Sequence, residues 1–164
     1  AKFITYKNIF DNSKIDISIL ENVKINVNEK QNKVKYGDIF FTTSSETPYE
    51  VGMSSILLEN INKEVYLNSF CFGFRLKNFK KLLPEFAVFY FRSFPIRSKI
   101  IKLAQGSTRF NLSKIQVMKI KLKLPPLKEQ QKIAKILTTW DSAISKQEEL
   151  IKEKEKLKKG LMQK

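Results

Sequence analysis

The stretch Leu124–Lys164 reads LPPLKEQQKIAKILTTWDSAISKQEELIKEKEKLKKGLMQK. Pro125-Pro126 ends an extended segment and pre-sets the φ angle for a helix start. No proline follows. Ile133, Ile136, Leu137, Trp140, Ala143, Ile144, Leu150, Ile151, Leu157 and Leu161 recur at steps of three, four and seven. That spacing makes one narrow apolar stripe on an otherwise charged helix. Some 35 residues at the helical rise give a rod of about 50 Å. Such a stripe needs cover. Either the helix folds back on its own domain or it pairs with a second helix. Pairing is the expectation, with Ile133, Leu137, Trp140, Ile144 and Ile151 at the seam. Lys146, Gln147 and Lys154 thin the stripe distally. Trp140 has Ile136 and Ile144 four residues to either side, which points to packing rather than to stacking on a base.

Working outward, residues 1–125 are expected to form an α+β domain, and residues 126–164 a spacer or dimerisation helix of coiled-coil type. The expected core of the domain is a twisted mixed or antiparallel β-sheet with short helices. Lys2–Asn12 reads as extended, with an abrupt start that suits a trimmed chain. Ile15–Ile19 and Val23–Val27 alternate like strands. Gly37-Asp38 signals a turn before the strand Ile39–Thr43, and further strands fit 55–58, 64–67 and 70–76. Ser44–Met53 reads as a loop. Pro84 opens a helix carrying Phe86, Phe89 and Tyr90, which Pro95 breaks. Ile96, Ile100, Ile101 and Leu103 suggest a second helix, stopped by Gly106. Ser107–Asn111 reads as a polar loop, and Ser113 as a cap for a short turn over 114–117. Ile120, Leu122 and Leu124 alternate with Lys121 and Lys123 as a strand buried on one face.

The 164 residues hold no histidine and a single cysteine, Cys71. Imidazole catalysis, an intrachain disulfide and a cysteine zinc site are thereby excluded. No Asp-x-Lys or Glu-x-Lys pair occurs, so the metal-dependent chemistry of restriction-type nucleases lacks its signature. The five glycines form neither a P-loop nor a dinucleotide fingerprint, and no Asn/Asp-Pro-Pro-aromatic loop marks a base methyltransferase. No apolar run approaches the ~20 residues of a membrane span, and Ala1–Phe10 has no secretory pattern. A cytoplasmic protein is expected. The net charge is +15. From Lys128 onward ten lysines face six acids, so most of the excess sits before the helix. A polyanion is the natural partner, although lysine-rich usage also follows from an AT-rich genome.

Binding chemistry is what remains. Thr42–Thr47 packs five hydroxyls and Glu46 at a strand end. Thr43, Ser44, Ser45 and Thr47 can bond phosphates or base edges, and Glu46 can accept from cytosine N4, while composition alone favours a solvated polar loop. Ser107, Thr108, Arg109 and Asn111 follow Gly106. Arg109 suits guanine and Asn111 adenine, with an ion-pair role for Arg109 as the alternative. Arg92 and Arg97 flank Phe94-Pro95, where they could reach phosphates. Lys80 and Lys81, with Lys77, form a basic run that also fits a solvated loop. Thr5 and Lys7 complete the candidates, beside Tyr6.

LPPLKEQQKIAKILTTWDSAI (Leu124–Ile144) with KKGLMQK (Lys158–Lys164) resembles the junction of a target recognition domain and a spacer helix in the specificity subunit of type I restriction–modification systems. GDIFFTTSSET (Gly37–Thr47), YLNSFCFGFRL (Tyr66–Leu76) and GSTRFNLSK (Gly106–Lys114) resemble stretches of one subgroup of those recognition domains. The resemblance covers nearly the whole chain. It implies a non-catalytic protein that reads one half of a split site in double-stranded DNA. It implies modification (methyltransferase) subunits and a restriction/motor subunit as partners, with S-adenosylmethionine, Mg2+ and ATP belonging to them and no cofactor of its own. A full family member holds two recognition domains and two antiparallel spacer helices. One domain and one helix therefore suggest a half-subunit or fragment that homodimerises through the helix. Two other classes stay open: a helical protein–protein adaptor or regulatory half-subunit with only non-specific DNA binding, and a nuclease of unfamiliar type.

Overall fold

The computed structural model describes residues 1–26, 29 and 31–162. In chain order its elements are β1 (Lys2–Ile4), α1 (Tyr6–Asp11), a 3-10 turn (Ile17–Ile19), β2 (Glu21–Asn22), β3 (Ile39–Thr42), β4 (Ser44–Ser45), β5 (Ser54–Ile56), β6 (Val65–Leu67) and β7 (Cys71–Phe74). Then follow α2 (Pro84–Tyr90), α3 (Phe94–Ile101), β8 (Phe110–Asn111), α4 (Lys114–Met118) and α5 (Leu127–Met162). The class is α+β with a long C-terminal helix. The β structure is divided into small sheets: β2-β1-β6, β5-β3-β7, and the pair β4-β8. All pairings are antiparallel except β1 with β6.

β3 is the centre. Its four residues are all buried because the strand is covered on both faces. Ile39 and Phe41 point to one side, where Phe72, Phe86, Phe91, Ile96 and Ile100 gather under α2 and α3. Phe40 points to the other side, against Ile4, Ile9, Leu57 and Val65. This is the period-two alternation of a strand, used here to serve two cores. Phe41 stacks on Phe72 at 5.6 Å and meets Phe91 edge-on at 5.4 Å, the geometries aromatic pairs favour. Register follows from these contacts: Ile39 opposes Phe74 and Ile56, and Thr42 opposes Cys71.

Several expectations are corrected. Residues 6–11 are helical rather than extended, because the Thr5 hydroxyl caps α1 by accepting from Asn8 N at 3.1 Å. Ile17–Ile19 is a 3-10 turn capped by Asp16, not a strand. The strand expected over Val23–Val27 is replaced by the two-residue β2; Val23–Asn26 have no strand pairing and Val27 lies outside the described residues. Residues 120–124 pair with no strand; Ile120 and Leu124 instead pack their side chains on the core as an irregular segment. Ser113 occupies the N-cap position of α4 without a side-chain capping bond. Pro84 and Pro95 both sit in the first turns of helices, so Pro95 starts α3 rather than merely ending α2.

The start of α5 is fastened to the domain by one polar side chain. Gln130 is fully buried. Its Nε2 donates to Lys81 O at 2.8 Å and Pro125 O at 2.9 Å, and its Oε1 accepts from Leu83 N at 3.0 Å. Ala134 is buried one turn later, and Leu137 is half-buried. From Thr138 to Met162 every side chain is exposed. The first turns of the helix lie on α2; Asp141, Ile144 and Ser145 still line an open groove against residues 11–16, Leu58 and Glu59, and Trp140 is 65% exposed.

Candidate nucleic-acid interface

Beyond Thr42 the chain leaves the central sheet and enters β4, which pairs with β8 through Ser44–Asn111 and Ser45–Phe110. Leu112 N donates to Thr43 O at 2.8 Å and extends the pairing. Gln105 and Asn111 exchange both backbone bonds, at 2.9 and 2.7 Å, and close residues 106–110 into a hairpin tip. Gly106 has φ 128°, a conformation side chains rarely adopt. A Cβ there would lie 2.1 Å from the Arg109 carbonyl oxygen, so the tip can close only on glycine. The Asn111 side chain donates to Arg109 O at 3.3 Å. The result is an exposed tip of Ser107, Thr108 and Arg109 held beside β4.

Two further elements reach the same place. Tyr6, from α1, donates its hydroxyl to Ser44 O at 2.7 Å and stacks on Phe10 at 5.9 Å. Burial raises the Tyr6 phenol above its ordinary pKa. Phe70 sits in a tight turn. Asn68 Oδ1 accepts from Phe70 N at 2.7 Å, and Phe70 O accepts from Thr43 N at 3.1 Å and from the Thr43 hydroxyl. Its backbone is pinned while its ring is 62% exposed. Tyr6, Phe10, Ser44, Ser45, Glu46, Glu50, Phe70 and Arg109 together line an open cleft of about 390 Å³.

The four arginines part company here. Arg75 grips Asp38 with two bonds of 2.7 Å. Arg92 donates to the carbonyls of Ser54, Ile9, Phe10 and Asn12 at 2.7–3.0 Å. Arg97 donates to Tyr49, Val51 and Gly52 carbonyls at 2.6–2.8 Å and is 9% exposed. Burial pushes Arg92 down to about 10, with Arg97 as a second cause, and lowers Arg97 as well; at neutral pH both stay charged. Their guanidinium groups are committed to backbone, so the expectation that they reach phosphates gives way to a positioning role. They hold the 49–52 loop and the end of α1. Arg109 alone has no guanidinium hydrogen bond or ion pair among the described residues.

The other expected residues divide in the same way. Thr5 is spent on its cap and Thr43 on Phe70. Ser45 donates to Glu50 Oε2 at 3.1 Å and accepts from Thr47 N at 3.3 Å. Lys7 and Thr47 are exposed. Lys80 and Lys81 are exposed too, but they lie where α5 docks, with Lys81 O bound to Gln130, and neither lines the cleft. Sequence reasoning missed Tyr6 as a lining residue, Phe10, Glu50 and Phe70. Glu50 had no signal, because its bond to Ser45 spans an irregular loop with no periodicity. Phe70 had none, because alternation assigns it to a strand. Among the described residues no group of three or more His, Cys, Asp or Glu is arranged to hold a metal.

The model of the family described as type I restriction modification DNA specificity domain matches residues 1–156, both the β-rich part and most of α5. The chain belongs to this family. A protein of Methanocaldococcus jannaschii named "Putative type I restriction enzyme MjaX specificity subunit" is 29% identical over 164 residues. The match covers 98% of this chain and 38% of that relative. This specificity domain thus spans well under half the length of the relative it matches. No helix among its described residues is long and apolar enough to cross a membrane.

Proposed function

We propose that this chain is a DNA-reading unit of a type I restriction–modification system: it recognises one half of a bipartite site in double-stranded DNA and performs no catalysis itself. The observation that carries the reading is the family match over residues 1–156. The net charge of +15 supports it, since lysine-rich surfaces bind phosphates by releasing counterions. The cleft of β4, the 106–110 tip and the Phe70 turn supplies the side chains that read bases, and exposed lysines such as Lys7 hold the backbone. Modification subunits that carry S-adenosylmethionine, and a restriction/motor subunit using ATP and Mg2+, are the partners this reading requires. A second copy pairs through the exposed stripe of α5 and presents the second half-site reader.

The test is selection from a randomised duplex pool by this chain with the modification subunit of its system, at near-physiological salt. A symmetric motif with a fixed gap is expected. Retention without enrichment, falling as salt rises, would leave only a basic, non-specific binder. Retention that ignores salt would favour a helical adaptor, a reading the exposed stripe also supports.

A further inference from the structure

The cleft has a chemical feature that phosphate binding does not need. It holds carboxylates. Glu46 and Glu50 line it together with Arg109, in a chain with twice as many cations as anions. Neither acid forms an ion pair with Arg109 among the described residues. A surface shaped for phosphate gains nothing from acids, which repel it. A base edge in the major groove is different. It presents acceptors and donors side by side: O6 and N7 of guanine accept, while N4 of cytosine and N6 of adenine donate. A guanidinium and a carboxylate kept apart in one cleft match that pattern.

Of the two acids, Glu50 is the positioned one. Ser45 Oγ donates to its Oε2 at 3.1 Å, and Glu50 N donates to Thr47 O at 3.3 Å. Ser45 is in turn fixed by β4–β8 pairing. The loop carrying Glu50 is held from below by Arg97 through the Tyr49, Val51 and Gly52 carbonyls. Glu46 has no comparable side-chain bond among the described residues. Resting on the DNA-reading function above, we infer that Glu50 is a specificity-determining residue: its carboxylate, oriented by Ser45, accepts a hydrogen bond from the exocyclic amino group of a cytosine or adenine in the half-site. Arg109 takes the acceptor edge of a neighbouring guanine, and the pinned Phe70 ring closes the apolar side of the cleft.

The experiment repeats the duplex selection with wild type, Glu50→Gln, Glu50→Ala and Ser45→Ala. At the position that Glu50→Ala relaxes, duplexes carrying 2-pyrimidinone for cytosine, or purine for adenine, then remove only the amino group. Glu50→Ala should relax one motif position and leave the salt dependence of binding unchanged; Ser45→Ala should relax the same position less. The deaminated duplex should cost wild type about 5- to 150-fold in affinity, the range of one good base contact, and cost Glu50→Ala nothing. Which analogue costs affinity separates cytosine from adenine. A wild-type motif that Glu50→Ala and Glu50→Gln leave unchanged would overturn the inference while the DNA-reading function stands. So would equal losses for wild type and Glu50→Ala on the analogue. No motif from wild type would overturn both.

Discussion

Arg92, Arg97 and Arg109 are alike as letters and unlike as groups, because the difference lies in which carbonyls surround each guanidinium. Three of the four carbonyls around Arg92 come from residues 80 or more apart in sequence and the fourth, of Ser54, from 38, and no local pattern foretells that. The Arg109 tip was legible, since glycine next to hydroxyls and asparagine has a local cause. Arg97→Met keeps the aliphatic stem but strips donors from three carbonyls, two of the bonds being fully buried. A loss of about 2–5 kcal/mol in urea unfolding is expected. Cys71 gives a second residue-scale prediction. Burial pushes its thiol up to about 12, whereas an unfolded thiol titrates near 8.5. Between those values the unfolded chain has lost the proton and the native chain keeps it, so stability is whole below about pH 8.5 and falls as pH rises. Urea midpoints from pH 7.5 to 10.5 should fall less steeply for Cys71→Ala than for wild type. Tyr36, also raised to about 12 by burial and Glu85, is present in both proteins and cancels in the difference. Equal slopes would show that Cys71 contributes nothing there.

At the scale of elements, legibility followed how local the cause was. β3, α2, α3 and α5 have their own periodicity and their own prolines or turn residues, and they stand where the pattern put them. α1 was hidden because one capping threonine outweighs a short alternating run. Residues 120–124 alternate like a strand but pair with none, and Ile120 and Leu124 send their apolar side chains to the core instead. The docking of α5 was hidden in the stripe itself. The buried contacts fall on Gln130 and Ala134, a polar residue and a small one, beside rather than on the large apolar positions. Gln130→Leu tests that joint. The side chain is similar in volume, but the Leu83 N–H and two carbonyls lose their partner inside the interface. Stability should drop by about 1–3 kcal/mol with helix content by circular dichroism unchanged below the transition. An unchanged midpoint would mean that packing of Ala134 and Leu137 suffices.

The whole molecule is a domain whose helix leaves it with most of its apolar stripe uncovered. α5 has 36 residues, about 54 Å at the helical rise, and only its first turns are used on α2. Ile136, Trp140, Ile144, Ile151 and Leu157 are all about half exposed or more, and Ile133 is at the edge of exposure. Leu137, expected at the seam, is half-buried already in the single chain. From Lys146 onward seven lysines and four glutamates flank the stripe, so opposite charges are interspersed along a helix that stays net basic. The exposed apolar stripe, rather than the charge, makes the helix the part of the molecule where two copies can meet. Trp140 is the largest side chain on the stripe and the third of the five residues expected at the seam, and buried aromatic anchors weigh most on an interface. Trp140→Asp should weaken self-association at least about 30-fold, the effect of losing 2 kcal/mol, in light scattering across a concentration series. The domain should stay folded, because Trp140 is 65% exposed and lies past Ala134, the last buried position of α5. If paired copies read two half-sites, the same substitution should reduce a gapped symmetric motif to a single half-site while the half-site itself is unchanged. Retention of the full gapped motif by the monomeric variant would place the pairing on another surface, with the modification subunit holding the two readers apart.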